Sequence, residues 1–158
     1  MPPLSDERVF ELASAMRVAF EGATRARLPA NLQDFPSGAC GDAEYMVAKL
    51  LEMHGDEDFD YVLGSRDGHS HAWIQRGDLI VDITADQFDD YPAPVTVARS
   101  STWHAGFEGE RQHVADFSIY DLYTRTVLLG VFSHLRSLLP AHATAPAGMS
   151  VPMKLARD

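Results

Sequence analysis

Two apolar segments joined by a tight turn constrain the fold of this chain more than any other feature. Residues 71–75 read His-Ala-Trp-Ile-Gln, residues 79–83 read Leu-Ile-Val-Asp-Ile, and Arg-Gly-Asp at 76–78 connects them. β-Branched and aromatic side chains favour strands, and a glycine between two such runs is typical of a hairpin. The pattern therefore predicts an antiparallel hairpin near the middle of the chain.

Helical patterns flank this hairpin on both sides. Apolar residues recur at helical spacing from about residue 5, with Ser5 as the N-cap, to about 24, and a second helix is predicted from about 40 to 54. The remaining predicted elements are a strand at 61–63, an edge strand at 95–98, an irregular segment at 100–117 and a third helix from about 118 to 139. The expected fold class is α+β, with N-terminal helices packed on a small antiparallel sheet and a C-terminal helix.

The chain has 158 residues, which is enough for one ordinary domain. From Pro140 onward Ala, Pro, Gly and Ser dominate, and no apolar periodicity supports a packed element. We therefore expect a single domain over residues 1–141 and a flexible tail over 142–158.

Acidic residues outnumber basic residues by 23 to 13, which gives a net charge of −10. Proteins that bind nucleic acids through their phosphates need a basic surface, so we expect no nucleic-acid partner. Residues 42–90 hold thirteen acids and three bases, an excess equal to the whole net charge. We interpret this segment as a solvated surface that favours solubility, and the alternative is a rim that attracts a basic peptide or polyamine.

The sequence carries no pattern typical of export or of a membrane protein. No apolar run approaches the roughly 20 residues that span a bilayer, and the first residues lack the basic and apolar regions of a signal peptide. The single cysteine cannot form an internal disulfide. We expect a cytoplasmic protein with no membrane partner, and the oligomeric state stays open.

Cys40 follows a glycine-containing loop and begins the second predicted helix. A helix N-terminus stabilises a thiolate, and its free N–H groups can hold the oxyanion that forms when a carbonyl is attacked. These properties suit a nucleophile. The alternative is a buried structural cysteine, which is a common fate of a lone cysteine.

His71 begins one strand of the hairpin, and Asp82 lies on the other. Folding about residues 76–78 brings them near each other, because neighbouring strands lie about 5 Å apart. An acid beside a histidine orients the ring and stabilises the imidazolium, which is the third role in a nucleophile–base–acid triad. Taken separately, the two residues are also explained as a surface histidine and a turn-side aspartate.

Three motifs together resemble the transglutaminase-like branch of the papain-like cysteine protease superfamily. They are Gly-Ala-Cys-Gly-Asp at 38–42, His-Ala-Trp at 71–73 and Val-Asp-Ile-Thr at 81–84, and the similarity covers about residues 31–90. The resemblance implies that Cys40 is the nucleophile, His71 the general base and acid, and Asp82 the residue that orients His71.

The resemblance further implies a minimal bacterial-type member that acts as a peptidase, amidase, deamidase or acyltransferase. Its partner would be a peptide, a protein or a small amide substrate, and no cofactor is expected. A non-catalytic binding module of the same fold, with an acidic face for a basic partner, is the main alternative function, and a metal-dependent hydrolase that uses His69 and His71 is a third possibility.

Four further residues are secondary candidates for the site. Gln33 lies seven residues before Cys40, where its amide could donate to the oxyanion, and a solvated loop glutamine is the alternative. Trp73, Trp103 and His104 are candidates for the walls of a substrate pocket, although a core role suits Trp73 equally. His104 is also a reserve general base, ranked below His71 because strand pairing places no carboxylate beside it.

His69 and His71 form a His-x-His pair that could bind a metal with Asp67, Asp82 or Cys40. The acids are explained better as the residue that orients His71 and as surface charge. No Cys-x-x-Cys or His-Glu-x-x-His motif accompanies the pair. We therefore expect no metal site.

Overall fold

The computed structural model describes residues 2–144, which contain five α-helices and a five-stranded sheet. The helices are α1 (Asp6–Gly22), α2 (Cys40–Met53), α3 (Thr102–Ala105), α4 (Leu122–Arg136) and α5 (Ala141–Thr144). The strands are β1 (Asp60–Arg66), β2 (His69–Arg76), β3 (Leu79–Asp82), β4 (Thr96–Ala98) and β5 (Glu110–Val114). The predicted α+β class is confirmed.

All neighbouring strands of the sheet are antiparallel, in the order β4-β3-β2-β1-β5. β2 and β3 form the predicted hairpin, with Ile74 opposite Val81. On its other side β2 pairs with β1, where Gly64 lies opposite His71. The strand that carries His71 therefore lies at the centre of the sheet, and β4 is one of its edges.

Two hydrophobic cores lie on either side of the sheet. Successive residues of a strand point to opposite faces, so Ile74 belongs to the larger core and Trp73 to the smaller. The larger core joins the sheet to the buried faces of α1 and α2, and the smaller one is mainly aromatic. Each fully buried aliphatic side chain contributes about 1.5–3 kcal/mol, so these cores hold the helices against the hairpin.

A buried arginine connects α1 to the segment that follows β3. The Arg17 guanidinium donates to the carbonyl oxygen of Ile83 at 2.8 Å and to both carboxylate oxygens of Asp86, at 2.7 and 2.9 Å. A two-point contact of this kind between arginine and carboxylate fixes geometry as well as charge. It positions the chain directly after Asp82.

The C-terminal part of the fold differs from the prediction in two places. α4 begins at Leu122 rather than near residue 118, because the Asp121 side chain caps it by accepting a hydrogen bond from the Thr124 N–H. The segment 100–117, predicted to be irregular, contains α3 and, after it, β5. β5 is an edge strand whose side chains are mostly exposed, so it lacks the apolar alternation that marks a half-buried strand.

The start of the predicted tail belongs instead to α5. Residues 142–144 are helical, Ala143 is buried, and its carbonyl oxygen accepts a hydrogen bond from His54 Nε2 at 2.8 Å. The rest of the predicted tail, 145–158, lies outside the described residues. Within residues 2–144, no helix has both the length and the apolar character needed to cross a membrane.

Candidate functional site

Cys40 is the first residue of α2, and its side chain is partly exposed. Ala39 occupies the N-cap position, so no side chain accepts a hydrogen bond from the first-turn N–H groups there. Just before it, Gly38 adopts a φ of 71°, and its N–H donates to Gln87 Oε1 at 3.3 Å. The loop is thereby held so that Cys40 lies at the positive end of the helix dipole, where the residue is only partly buried.

His71 and Asp82 form a buried ion pair. Asp82 Oδ2 accepts a hydrogen bond from His71 Nε2 at 2.7 Å, and both side chains are 0% exposed. Asp82 is the residue after Val81, the partner of Ile74, so its carboxylate reaches His71 diagonally across the hairpin. An ionised carboxylate can only accept, so Nε2 carries a proton and Nδ1 is left for a different partner.

The second ring nitrogen of His71, Nδ1, is buried and has no hydrogen-bond partner within residues 2–144. The Cys40 thiol is near enough to the His71 ring to affect its pKa. Burial lowers the pKa of His71, whereas the hydrogen bond to Asp82 and the Cys40 thiol raise it, with a net rise to about 9. The imidazolium form is therefore favoured at neutral pH.

Asp82 also binds a second histidine. Its Oδ2 accepts from His104 Nε2 at 2.6 Å, and Ser101 Oγ lies 2.6 Å from the other nitrogen of that ring. Its Oδ1 accepts from the Thr84 N–H at 2.9 Å. Burial alone would raise the pKa of Asp82, but the hydrogen bonds from His104 and His71 lower it well below its usual range. Strand pairing places no carboxylate beside His104, as expected, but α3 brings its ring to the carboxylate of Asp82 at the end of β3.

Glu44 is a member of the site that the sequence reasoning missed. It lies one helical turn after Cys40 and is fully buried, and its Oε2 accepts from the Ile83 N–H at 2.8 Å. Burial and the neighbouring Asp82 raise the pKa of Glu44 well above its usual range. The site thus holds two carboxyl groups in opposite states, with Asp82 ionised and Glu44 neutral. The signal in the sequence was an acid on the apolar face of α2, four residues from the cysteine.

Aromatic rings enclose the imidazole of His71. Its ring centroid lies 5.2–5.8 Å from those of Trp73, Phe88, Trp103 and Phe107. Trp73 is a core residue, only 3% exposed, whereas Trp103 is half-buried and its indole N–H donates to Asp90 at 3.0 Å. An apolar shell excludes water and strengthens the electrostatic interactions of the His71–Asp82 pair.

A cavity of about 490 Å³ lies next to this shell. It is lined by Phe88, which packs on His71, by Gln87, which binds the loop before Cys40, and by His69. The other lining residues are charged: Arg66, Asp67, Asp89 and Asp90. The cavity is large enough for part of a peptide or a small molecule beside the thiol-bearing loop.

Gln33 is engaged elsewhere. Its amide donates to the carbonyl oxygen of Leu28 at 2.9 Å, and it lines a separate cavity next to Arg17 and Phe35. The structure therefore gives no support for Gln33 as an oxyanion donor. The glutamine that does contact the loop before Cys40 is Gln87, which also donates to the Thr84 carbonyl at 3.1 Å.

The donor atoms that converge in this part of the chain are those of His71, Asp82 and His104, which lie within 4.8 Å of one another. His69 is not among them and is exposed. Nitrogen and oxygen ligands about 2.0–2.1 Å from a tetrahedral zinc ion would lie about 3.3 Å apart. The N···O distances of 2.6 and 2.7 Å fit charge-assisted hydrogen bonds better than ligation.

Comparisons with protein-family models, with curated proteins and with solved structures find no match to this chain. We therefore infer its function from the geometry of the site.

Proposed function

We propose that this protein is a cysteine-dependent hydrolase or acyltransferase that acts on an amide or peptide bond. In this proposal Cys40, His71 and Asp82 form the catalytic triad of a minimal transglutaminase-like domain within the papain-like superfamily. The observation that supports it is the buried His71–Asp82 pair beside a partly exposed cysteine at a helix start. That arrangement supplies a nucleophile, a base and a residue that orients the base.

In the reactive form of the proposed site, His71 already holds the proton that the Cys40 thiol has given up, so the pair is a thiolate and an imidazolium. The sulfur attacks the carbonyl carbon, and the carbonyl electron pair moves onto the oxygen. As the oxyanion collapses, the C–N bond breaks, and the leaving amine takes the proton from His71. Water or a second amine then attacks the thioester and loses a proton to His71, which returns it to the departing Cys40 sulfur.

Asp82 has two functions in this proposal. It keeps a proton on Nε2 of His71, so that Nδ1 is the nitrogen that exchanges a proton with the thiol. It also stabilises the imidazolium by its negative charge, which is consistent with the raised pKa of His71. The second hydrogen bond, from His104, holds the carboxylate in place.

Alkylation of Cys40 with iodoacetamide at neutral pH tests the proposal. We expect the wild-type thiol to react faster than free cysteine and His71→Gln to slow the reaction at least about tenfold, because thiolate is the reactive form. His69→Gln is the matched control, because His69 lies on the same strand two residues away and is exposed. Equal rates in all three proteins would contradict the proposal and favour the binding module with an acidic face.

Acylation of Cys40 by p-nitrophenyl acetate tests the carbonyl chemistry itself. A burst of p-nitrophenolate equal to the amount of protein, absent in Cys40→Ser, is expected for an acyl-enzyme. A metal-dependent hydrolase would behave differently, because Cys40→Ser would keep its turnover and EDTA would abolish it. That result would overturn the cysteine mechanism.

A further inference from the structure

The hydroxyl of Tyr61 lies at the first turn of α2. Tyr61 is on β1, opposite Ile74 of the central strand. Its hydroxyl oxygen is so close to Gly41 that a Cβ atom at that position would lie only 3.1 Å from it. The phenol is therefore next to the residue that follows Cys40.

The ring of Tyr61 is held rigidly in an aromatic stack. It is parallel to the ring of Tyr45, with centroids 5.0 Å apart, and to that of His113, with centroids 5.3 Å apart. The Tyr45 hydroxyl has a hydrogen-bond partner, because it lies 2.9 Å from the hydroxyl of Tyr120. Among residues 2–144 the Tyr61 hydroxyl has no hydrogen-bond partner, and because Tyr61 is only partly buried the hydroxyl is open to a ligand or to water.

The Tyr61 phenol keeps its proton under all ordinary conditions. Burial, followed by the nearby Cys40, raises its pKa to about 12. It is therefore a hydrogen-bond donor with no acceptor among residues 2–144, held next to the residue that follows Cys40. The attack of Cys40 on a carbonyl would create an acceptor there, because the carbonyl oxygen becomes negatively charged.

We propose that the Tyr61 hydroxyl is a catalytic hydrogen-bond donor to the oxyanion, together with the backbone N–H of Cys40. The inference rests on the proposed cysteine chemistry and assigns to Tyr61 the role that the sequence suggested for Gln33. The first N–H groups of a helix have no acceptor within the helix, so they and the phenol can converge on one oxygen. No proton is transferred from Tyr61: the bond forms as the carbonyl electron pair moves to oxygen and is lost as the carbonyl re-forms.

Two reagents separate this role from the reactivity of the thiol itself. p-Nitrophenyl acetate reacts through a tetrahedral oxyanion, whereas iodoacetamide loses iodide from a saturated carbon and forms no oxyanion. Both require the Cys40 thiolate. Loss of a hydrogen-bond donor to the oxyanion should therefore slow only the reaction with the ester. Loss of a group that activates the thiol should slow the reactions with both reagents.

The experiment compares Tyr61→Phe with the wild type. We expect acylation by p-nitrophenyl acetate to fall by about 100-fold, the lower end of the loss seen when one oxyanion donor is removed. Alkylation by iodoacetamide should stay at the wild-type rate. Tyr45→Phe is the matched control, because it removes a hydroxyl from the neighbouring ring of the same stack, and it should leave the ester reaction unchanged.

Each contrary outcome has a distinct meaning. If Tyr61→Phe acylates at the wild-type rate, the proposal for Tyr61 is wrong. If it slows both reagents equally, Tyr61 supports the fold or the thiol and is not an oxyanion donor. If the wild type itself shows no burst and His71→Gln does not alter alkylation, the proposed cysteine mechanism fails instead.

Discussion

The carboxyl group of Glu44 faces that of Asp82 in the interior of the protein, where both side chains are 0% exposed. Two neighbouring negative charges that are both buried would be strongly unfavourable, so one of the groups stays protonated. Asp82 receives hydrogen bonds from two histidines, and Glu44 receives one from the Ile83 N–H. The negative charge therefore resides on Asp82, and the proton on Glu44.

Replacing Glu44 with Gln is expected to make the protein more stable than the wild type at alkaline pH. Because the pKa of Glu44 is raised from 4.5 in the folded state, folding binds a proton, and the free energy of unfolding falls as pH rises above 4.5. Gln removes this dependence and still offers an oxygen to the Ile83 N–H. Urea unfolding should show a difference between variant and wild type that grows with pH. Glu52→Gln, at an exposed position of α2, should follow the wild-type curve.

The His71–Asp82 pair is expected to stabilise the protein most below pH 6.5. The pKa of His71 rises from 6.5 to about 9 on folding, so its contribution is complete below 6.5 and is lost as pH rises through about 9. The pKa of Asp82 is lowered, so its contribution is present above 3.8 and is lost as pH falls further.

Urea unfolding of His71→Gln beside the wild type measures the His71 contribution. The stability difference should shrink by on the order of 3 kcal/mol between pH 6.5 and about 9. A difference that is constant across this range would show that His71 does not titrate with folding.

Asp82→Asn is expected to destabilise the protein by about 3–5 kcal/mol, because it removes the charge that compensates a buried imidazolium. Alkylation of Cys40 should slow in parallel. His104→Gln removes only one of the two histidine hydrogen bonds and should cost about 1–3 kcal/mol while alkylation stays near the wild-type rate. If His104→Gln slows alkylation and His71→Gln does not, His104 rather than His71 is the base.

The hairpin and the His71–Asp82 contact were predictable because both depend on short-range rules. Strand alternation and turn position determine which residues lie opposite each other, so two residues eleven apart could be placed together. Cys40 at the start of α2 followed equally from a glycine-containing loop before an apolar helical pattern.

His104 and Tyr61 could not be placed by the same rules. His104 reaches Asp82 from a segment whose path depends on packing between distant residues, such as Phe107 on Trp73. Tyr61 reaches α2 because β1 packs beside β2, a pairing that no local pattern specifies. The burial of Glu44 could in principle have been predicted from its position, but an acid beside an apolar helix face is more often exposed at the edge of that face.

Gly41→Ala is expected to slow the proposed reaction with esters while leaving the free energy of unfolding nearly unchanged. Alanine favours the helix by up to about 1 kcal/mol, but its Cβ would lie 3.1 Å from the Tyr61 hydroxyl, which would have to shift by a few tenths of an ångström. The free energy of unfolding should change by less than about 1 kcal/mol while acylation by p-nitrophenyl acetate slows. In the double variant Gly41→Ala/Tyr61→Phe, the acylation rate should match that of Tyr61→Phe alone. A further loss would mean that Gly41 acts independently of Tyr61.

The backbone of Ile83 is hydrogen-bonded to two helices. Its N–H donates to Glu44 of α2, and its carbonyl oxygen accepts from Arg17 of α1. Neither helix can detach by itself without releasing the strand end that carries Asp82. We therefore expect the segment around Ile83 to open only when the whole protein unfolds. Deuterium exchange of the Ile83 amide should then report the free energy of global unfolding. Cleavage of α1 by a protease is therefore expected to lower the reactivity of Cys40 towards iodoacetamide, although Cys40 lies on a different helix.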